Sequence, residues 1–141
     1  MKKPAEVRTF ASLAVGDHAS IECQVTEEDI SSFAELSGDH NPLHVDDSYA
    51  AHTPFGKKVA HGMLLGAFVS QLIGMKLPGH HALLMKQSLE FKKTAHGGDV
   101  IVVRGTVVHK SDVTHLIELA VTLTRGDETI AMGSAQVQVL A

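Results

Sequence analysis

The run from Val59 to Met75, VAHGMLLGAFVSQLIGM, contains no Asp, Glu, Lys or Arg, and it limits what this chain can fold into. A helix that is apolar on nearly every face has to be surrounded by protein or by lipid. The run falls short of the roughly twenty apolar residues that a bilayer span needs, and His61, Ser70 and Gln71 interrupt it. The rest of this chain or a second subunit must then supply the cover. After Pro78-Gly79 the pattern changes to period two, which places Met85, Gln87, Leu89 and Phe91 on one face of a strand and Lys86, Ser88, Glu90 and Lys92 on the other. DVIVVRGTVVHK (99–110) is a β-branched run. HLIELAVTLT turns Ile117, Leu119, Val121 and Leu123 inward, and RGDE predicts a hairpin turn into TIAMGSAQVQVL. An antiparallel meander after one apolar helix predicts an α+β architecture, a curved sheet wrapped around that helix.

The first part of the chain reads as a feed into this assembly. HASIECQVT (18–26) predicts a strand. Thr26 is placed to cap a helix whose first turn holds Glu27, Glu28 and Asp29, acids that complement the helix dipole. Ile30, Phe33 and Leu36 follow at near-helical spacing, and Gly38 is a natural stop. DDSYAAH predicts a further short helical turn and TPFGKK a loop. With no repeat, low-complexity tract or linker, 141 residues of ordinary composition predict a single domain over 1–141. A formal charge of −4 without a Lys/Arg run argues against nucleic acid as a partner. Cys23 is the only cysteine, which excludes an internal disulfide and a cysteine-based zinc cluster. The N-terminus starts basic but has no continuous apolar core, so no signal peptide is expected and a cytoplasmic protein is.

Chemistry concentrates in SGDHNPLH, Ser37 to His44. Gly38 and Asn41-Pro42 disfavour regular structure, so Asp39 and His44 are expected on a constrained loop. A carboxylate and an imidazole held this way are suited to shared general acid–base work on a common water or substrate. The plainer reading is a turn in which Asp39 bonds nearby amides and His44 is only its partner. His40 and His44 stand four apart, but Pro42 between them argues against the helix that a metal pair would need, and zinc would require Asp39, His52 or His61 as well. No metal is expected. AHGM (60–63) opens the apolar helix, whose free N–H groups suit developing negative charge. Gly62 there either admits a substrate carbonyl or serves tight packing, as Gly66 and Gly74 do. Ser70, further in, either bonds its own helix or reaches the Asp39 loop.

FAELSGDHNPLHVDDSYA resembles the signature of the MaoC-like (R)-specific enoyl-CoA hydratases, and VAHGMLLGAFVSQLIG resembles their central helix, in the same order and spacing. The resemblance continues through LPG and SLEFKKTAHGGDV, over nearly the whole chain. It implies the hot-dog fold and the small single-hot-dog members that work as homodimers. It implies Asp39 and His44 as the catalytic pair, the Gly62 backbone N–H as oxyanion donor, Ser70 as a neighbour of the catalytic acid, and Asn41 as a residue shaping the loop. The implied reaction is reversible syn hydration of a trans-2-enoyl-CoA to an (R)-3-hydroxyacyl-CoA, with no cofactor beyond the CoA of the substrate. Two other expectations stand beside it: a hot-dog acyl-CoA thioesterase, and a non-catalytic acyl-CoA-binding domain, against which Asp39, His44 and Gly62 together count.

Overall fold

A computed structural model describes residues 2–141. Its centre is helix α4 (Gly62–Met75), which buries Leu64, Leu65, Val69, Leu72 and Ile73. They pack into one apolar cluster with the inner face of a five-stranded antiparallel sheet. In chain order the strands are β1 (His18–Gln24), β2 (Ala82–Phe91), β3 (Val100–Ser111), β4 (Leu116–Arg125) and β5 (Glu128–Val139), and they lie in the order β1-β3-β4-β5-β2. Ile117, Leu119, Val121 and Leu123 of β4 face inward as their alternation predicts, each at most 1% exposed. Burying an aliphatic side chain of this size contributes about 1.5–3 kcal/mol, so the sheet-to-helix contact dominates the stability.

The short helices are α1 (Glu27–Ser37), α2 (Pro42–Val45) and α3 (Asp47–Ala51). Thr26 caps α1 through a reciprocal pair: its hydroxyl accepts from the Asp29 amide at 2.9 Å, and the Asp29 carboxylate accepts from the Thr26 amide at 3.1 Å. Gly38 ends α1 in the left-handed region at φ 76°, a backbone shape that glycine adopts without strain.

Three expectations need correction. The 18–26 strand stops at Gln24, because Val25 leaves β1 to bond the Asp99 carbonyl and Thr26 is already the cap. The strands after α4 do not form a simple meander: β2 pairs with β5, and residues 92–99 carry the chain across to β3 beside β1. A bulge in β2 between Leu84 and Lys86 reverses the alternation, so Met85 leaves the face it was assigned and is 59% exposed, while Leu84, Gln87, Leu89 and Phe91 share the inner one. On helix α4, Met63, Ala67, Ser70 and Gln71 remain exposed. No helix among the described residues is long and apolar enough to cross a membrane.

Candidate functional site

Short polar side chains build the turn after α1 by bonding amides two residues on. Ser37 accepts from the Asp39 amide at 3.1 Å, Asp39 from the Asn41 amide at 3.2 Å, and Asn41 from the Leu43 amide at 3.0 Å. Pro42 does not prolong the loop, as expected from sequence, but occupies the first turn of α2, where a missing N–H costs nothing. Asn41 is thus the α2 cap, and His44 projects from a short helix.

Two neighbours define the state of His44. Its Nδ1 lies 2.6 Å from the Val59 carbonyl oxygen. A carbonyl only accepts, so Nδ1 carries the hydrogen and the neutral ring keeps its lone pair on Nε2. That Nε2 lies 3.8 Å from Asp39 Oδ2, too far for a direct hydrogen bond but a distance that one shared water or substrate atom bridges. The His44 side chain is 15% exposed and that of Asp39 49%, so the pair stands where protein meets solvent.

The structure adds His61 to this pair. Among the described residues it is the one buried polar side chain, at 2% exposure. The ring stacks on His44 with centroids 3.9 Å apart and planes 24° from parallel, and tilts against Phe33 at 4.8 Å. Its Nε2 donates to the backbone carbonyl of Asp39 at 3.0 Å. Asp39, His44 and His61 offer donor atoms all within 4.8 Å of one another. The sequence offered one signal for this, a lone histidine in a run without charge, and it pointed only to a possible zinc ligand. His40 takes no part, since its Nε2 lies 3.6 Å from Glu35 on the exposed side of α1.

Gly62 is the first residue of α4, and its N–H has no backbone partner among the described residues. With His44, Val59, Leu65, Phe91 and Thr94 it lines a cleft of about 220 Å³. A side chain at Gly62 would meet the Phe91 ring at 3.0 Å, so the glycine keeps this end of the helix open. Ser70 sits on the open face of α4 and has no hydrogen bond to the Asp39 loop. On its far side Phe91 also borders an apolar groove of about 360 Å³ lined by Phe33, Met63, Gly66, Ala67, Leu84 and Leu89.

The cleft wall is held by the 94–99 segment. The Ala60 amide donates to the Ala95 carbonyl at 2.7 Å, and His96 Nδ1 donates to the Lys58 carbonyl at 2.7 Å. Arg125 fastens the segment to β4 by donating to the Thr94 carbonyl at 2.9 Å and to Asp99 at 2.7 Å. Burial alone would raise the Asp99 carboxyl, but the His96 amide and the Arg125 guanidinium outweigh it and hold the group below its ordinary value. A hydrogen bond and ion pair to Glu27 at 3.0 Å raise the Lys58 ammonium, tying this strip to α1.

The MaoC like domain matches residues 7–128. The chain belongs to the MaoC-like family. A 3-hydroxybutyryl-CoA dehydratase of Methylorubrum extorquens is 35% identical over 92% of this chain and 83% of its own length. An (R)-specific enoyl-CoA hydratase of Rhodospirillum rubrum is 36% identical over 94% of this chain and 92% of its own length. Among solved structures, an (R)-hydratase from A. caviae involved in PHA biosynthesis superposes with a TM-score of 0.87 at 33% identity, covering 91% of this chain and 98% of that one. The α+β hot-dog architecture expected from the sequence is the MaoC-like fold seen here.

Proposed function

We propose that this MaoC-like protein is an (R)-specific enoyl-CoA hydratase that adds water reversibly to a trans-2-enoyl-CoA. The observation that carries the reading is the cleft shared by His44 and Gly62, whose N–H has no partner among the described residues, with the Asp39 carboxyl 3.8 Å from His44 Nε2. In the forward direction His44 Nε2 takes a proton from water as the oxygen bonds to the β-carbon. The electron pair of the double bond moves toward the thioester, whose oxygen gains enolate character against the Gly62 N–H and the positive end of α4. Asp39 then delivers a proton to the α-carbon, and a proton passing from His44 to Asp39 resets the pair. Because both groups flank one bound water, oxygen and hydrogen arrive on the same face.

The remaining surfaces suit the rest of the substrate. The groove of Phe33, Met63, Leu84 and Leu89 would receive the acyl chain, with Phe91 as the wall it passes. Phe91 also borders a ledge of about 480 Å³ lined by Phe55, Lys92, Lys93 and Thr94, which would receive the phosphorylated end of CoA if phosphate displaces Glu90 and Glu128 from the two ammonium groups they pair with. No cofactor is needed, and a cytoplasmic setting belongs to the same reading. We further propose a two-fold homodimer joined along β2, an edge strand on which Leu83, Leu84 and Met85 are 49%, 41% and 59% exposed.

Incubation with crotonyl-CoA and longer enoyl-CoAs, followed by chiral analysis of the product, tests the reading. The (R)-3-hydroxyacyl-CoA is expected. An (S) product, or no hydration at any chain length, overturns it, and release of free thiol in place of lost enoyl absorbance would make the protein a thioesterase.

A further inference from the structure

We infer that His61 is a positioning residue for this reaction, setting the geometry between Asp39 and His44 without touching substrate. The inference rests on the hydratase reading of the same site. Asp39 stands on the exposed turn after α1 and His44 on α2, and no direct hydrogen bond joins their side chains. His61 reaches both. Its Nε2–H holds the peptide carbonyl of Asp39 at 3.0 Å, and its ring lies flat against the His44 imidazole at 3.9 Å. One buried ring therefore sets where the acid stands and in which plane the base lies.

Packing does not account for an imidazole here. Because Nε2 donates to a carbonyl, Nδ1 of the neutral ring is an acceptor, and it is buried without a partner among the described residues. A buried acceptor left unpaired lowers stability. A phenyl ring of similar outline would keep the contacts to His44 and Phe33 without that cost, and would lose only the bond to Asp39. The feature that imidazole alone supplies is thus the one directed at the candidate catalytic acid. Its neutral face also lies beneath the imidazolium that forms when His44 takes a proton, an arrangement that stabilises the cation.

Two substitutions separate the contacts. His61→Phe keeps the stack and removes the donor, whereas His61→Gln keeps an N–H donor at similar reach and removes the ring. The expected result for His61→Phe is a melting temperature at or above wild type, KM for crotonyl-CoA within about twofold, and kcat lower by about ten- to a hundredfold, the cost of misplacing reacting groups. His61→Gln is expected to recover part of the lost kcat. Nitrogen NMR of the His44 ring, which does not depend on turnover, is expected to show a wild-type Nδ1–H form that is ordered and a His61→Phe form that is less so. Full kcat in a folded His61→Phe, a change confined to KM, a His61→Gln no better than His61→Phe, unaltered His44 resonances, or failure of both variants to fold would each overturn the inference. A wild-type protein that hydrates no enoyl-CoA would instead sink the hydratase reading, and the His44 resonances would still decide whether His61 orders the pair.

Discussion

Replacing Gly62 by alanine separates folding from chemistry, because the methyl group lands where the structure leaves room for little else. An ideal Cβ there lies 3.0 Å from Phe91 Cζ and 3.2 Å from both Cε atoms, so the ring must give by a few tenths of an ångström. It has freedom to do so, being the half-exposed end of a side chain at 46% exposure rather than backbone. Alanine gains up to about 1 kcal/mol of helix propensity over glycine, and the displaced ring offsets part of it. Stability should change by less than about 1 kcal/mol in either direction, a melting shift of no more than about 4 °C. Turnover should respond quite differently. The methyl and the shifted ring crowd a cleft of about 220 Å³ and keep the thioester oxygen from closing on the Gly62 N–H. Losing one such donor typically costs about 3–4 kcal/mol, or 10²–10³-fold in kcat. The assay is loss of enoyl absorbance from crotonyl-CoA, run beside a thermal melt. If Gly62→Ala melts like the wild type and keeps kcat within about tenfold, the methyl does not block the amide, and the reasoning that the cleft requires glycine at this position is refuted.

Other outcomes follow from the same geometry. Asp39→Asn and His44→Ala are each expected to lower turnover by about 10²–10⁴-fold in a folded protein, and near-normal kcat in either would remove that residue from the mechanism. Dialysis against a chelator should leave hydration unchanged even though Asp39, His44 and His61 converge, and activity restored by zinc would replace the acid–base scheme with a metal one. Sedimentation on dilution should show a dimer whose dissociation removes activity, whereas a fully active monomer would refute the β2 interface. Because the Asp99 carboxyl is held below its ordinary value in the folded state, its contribution is present above the unfolded value and is lost as pH falls through the folded one. Denaturant melts of Asp99→Asn and wild type should therefore differ at neutral pH and converge in strong acid, and an equal gap at both would show that the Arg125 pair does not secure the 94–99 segment.

What the sequence determined by itself was set by neighbours in the chain. Thr26 caps α1 because its hydroxyl needs only the amide of Asp29, and Gly38 ends the helix because the left-handed turn is a property of one residue. The inward face of β4 was legible because alternation is local, and the apolar run named the central helix because it tolerates no other place. Tertiary structure decided what depends on partners distant in sequence. The face taken by Met85 was reversed by a bulge that exists only in the pairing of β2 with β5. Phe91 became the wall of the cleft by lying against Gly62, and Arg125 became its brace by reaching Thr94 and Asp99. The motif announced Asp39 and His44, but their separation, the hydrogen on His44 Nδ1 and the buried ring of His61 are set by carbonyls and planes that meet only after α2 docks against the start of α4. Burial and hydrogen bonding between remote segments choose those contacts, and no local spacing encodes them.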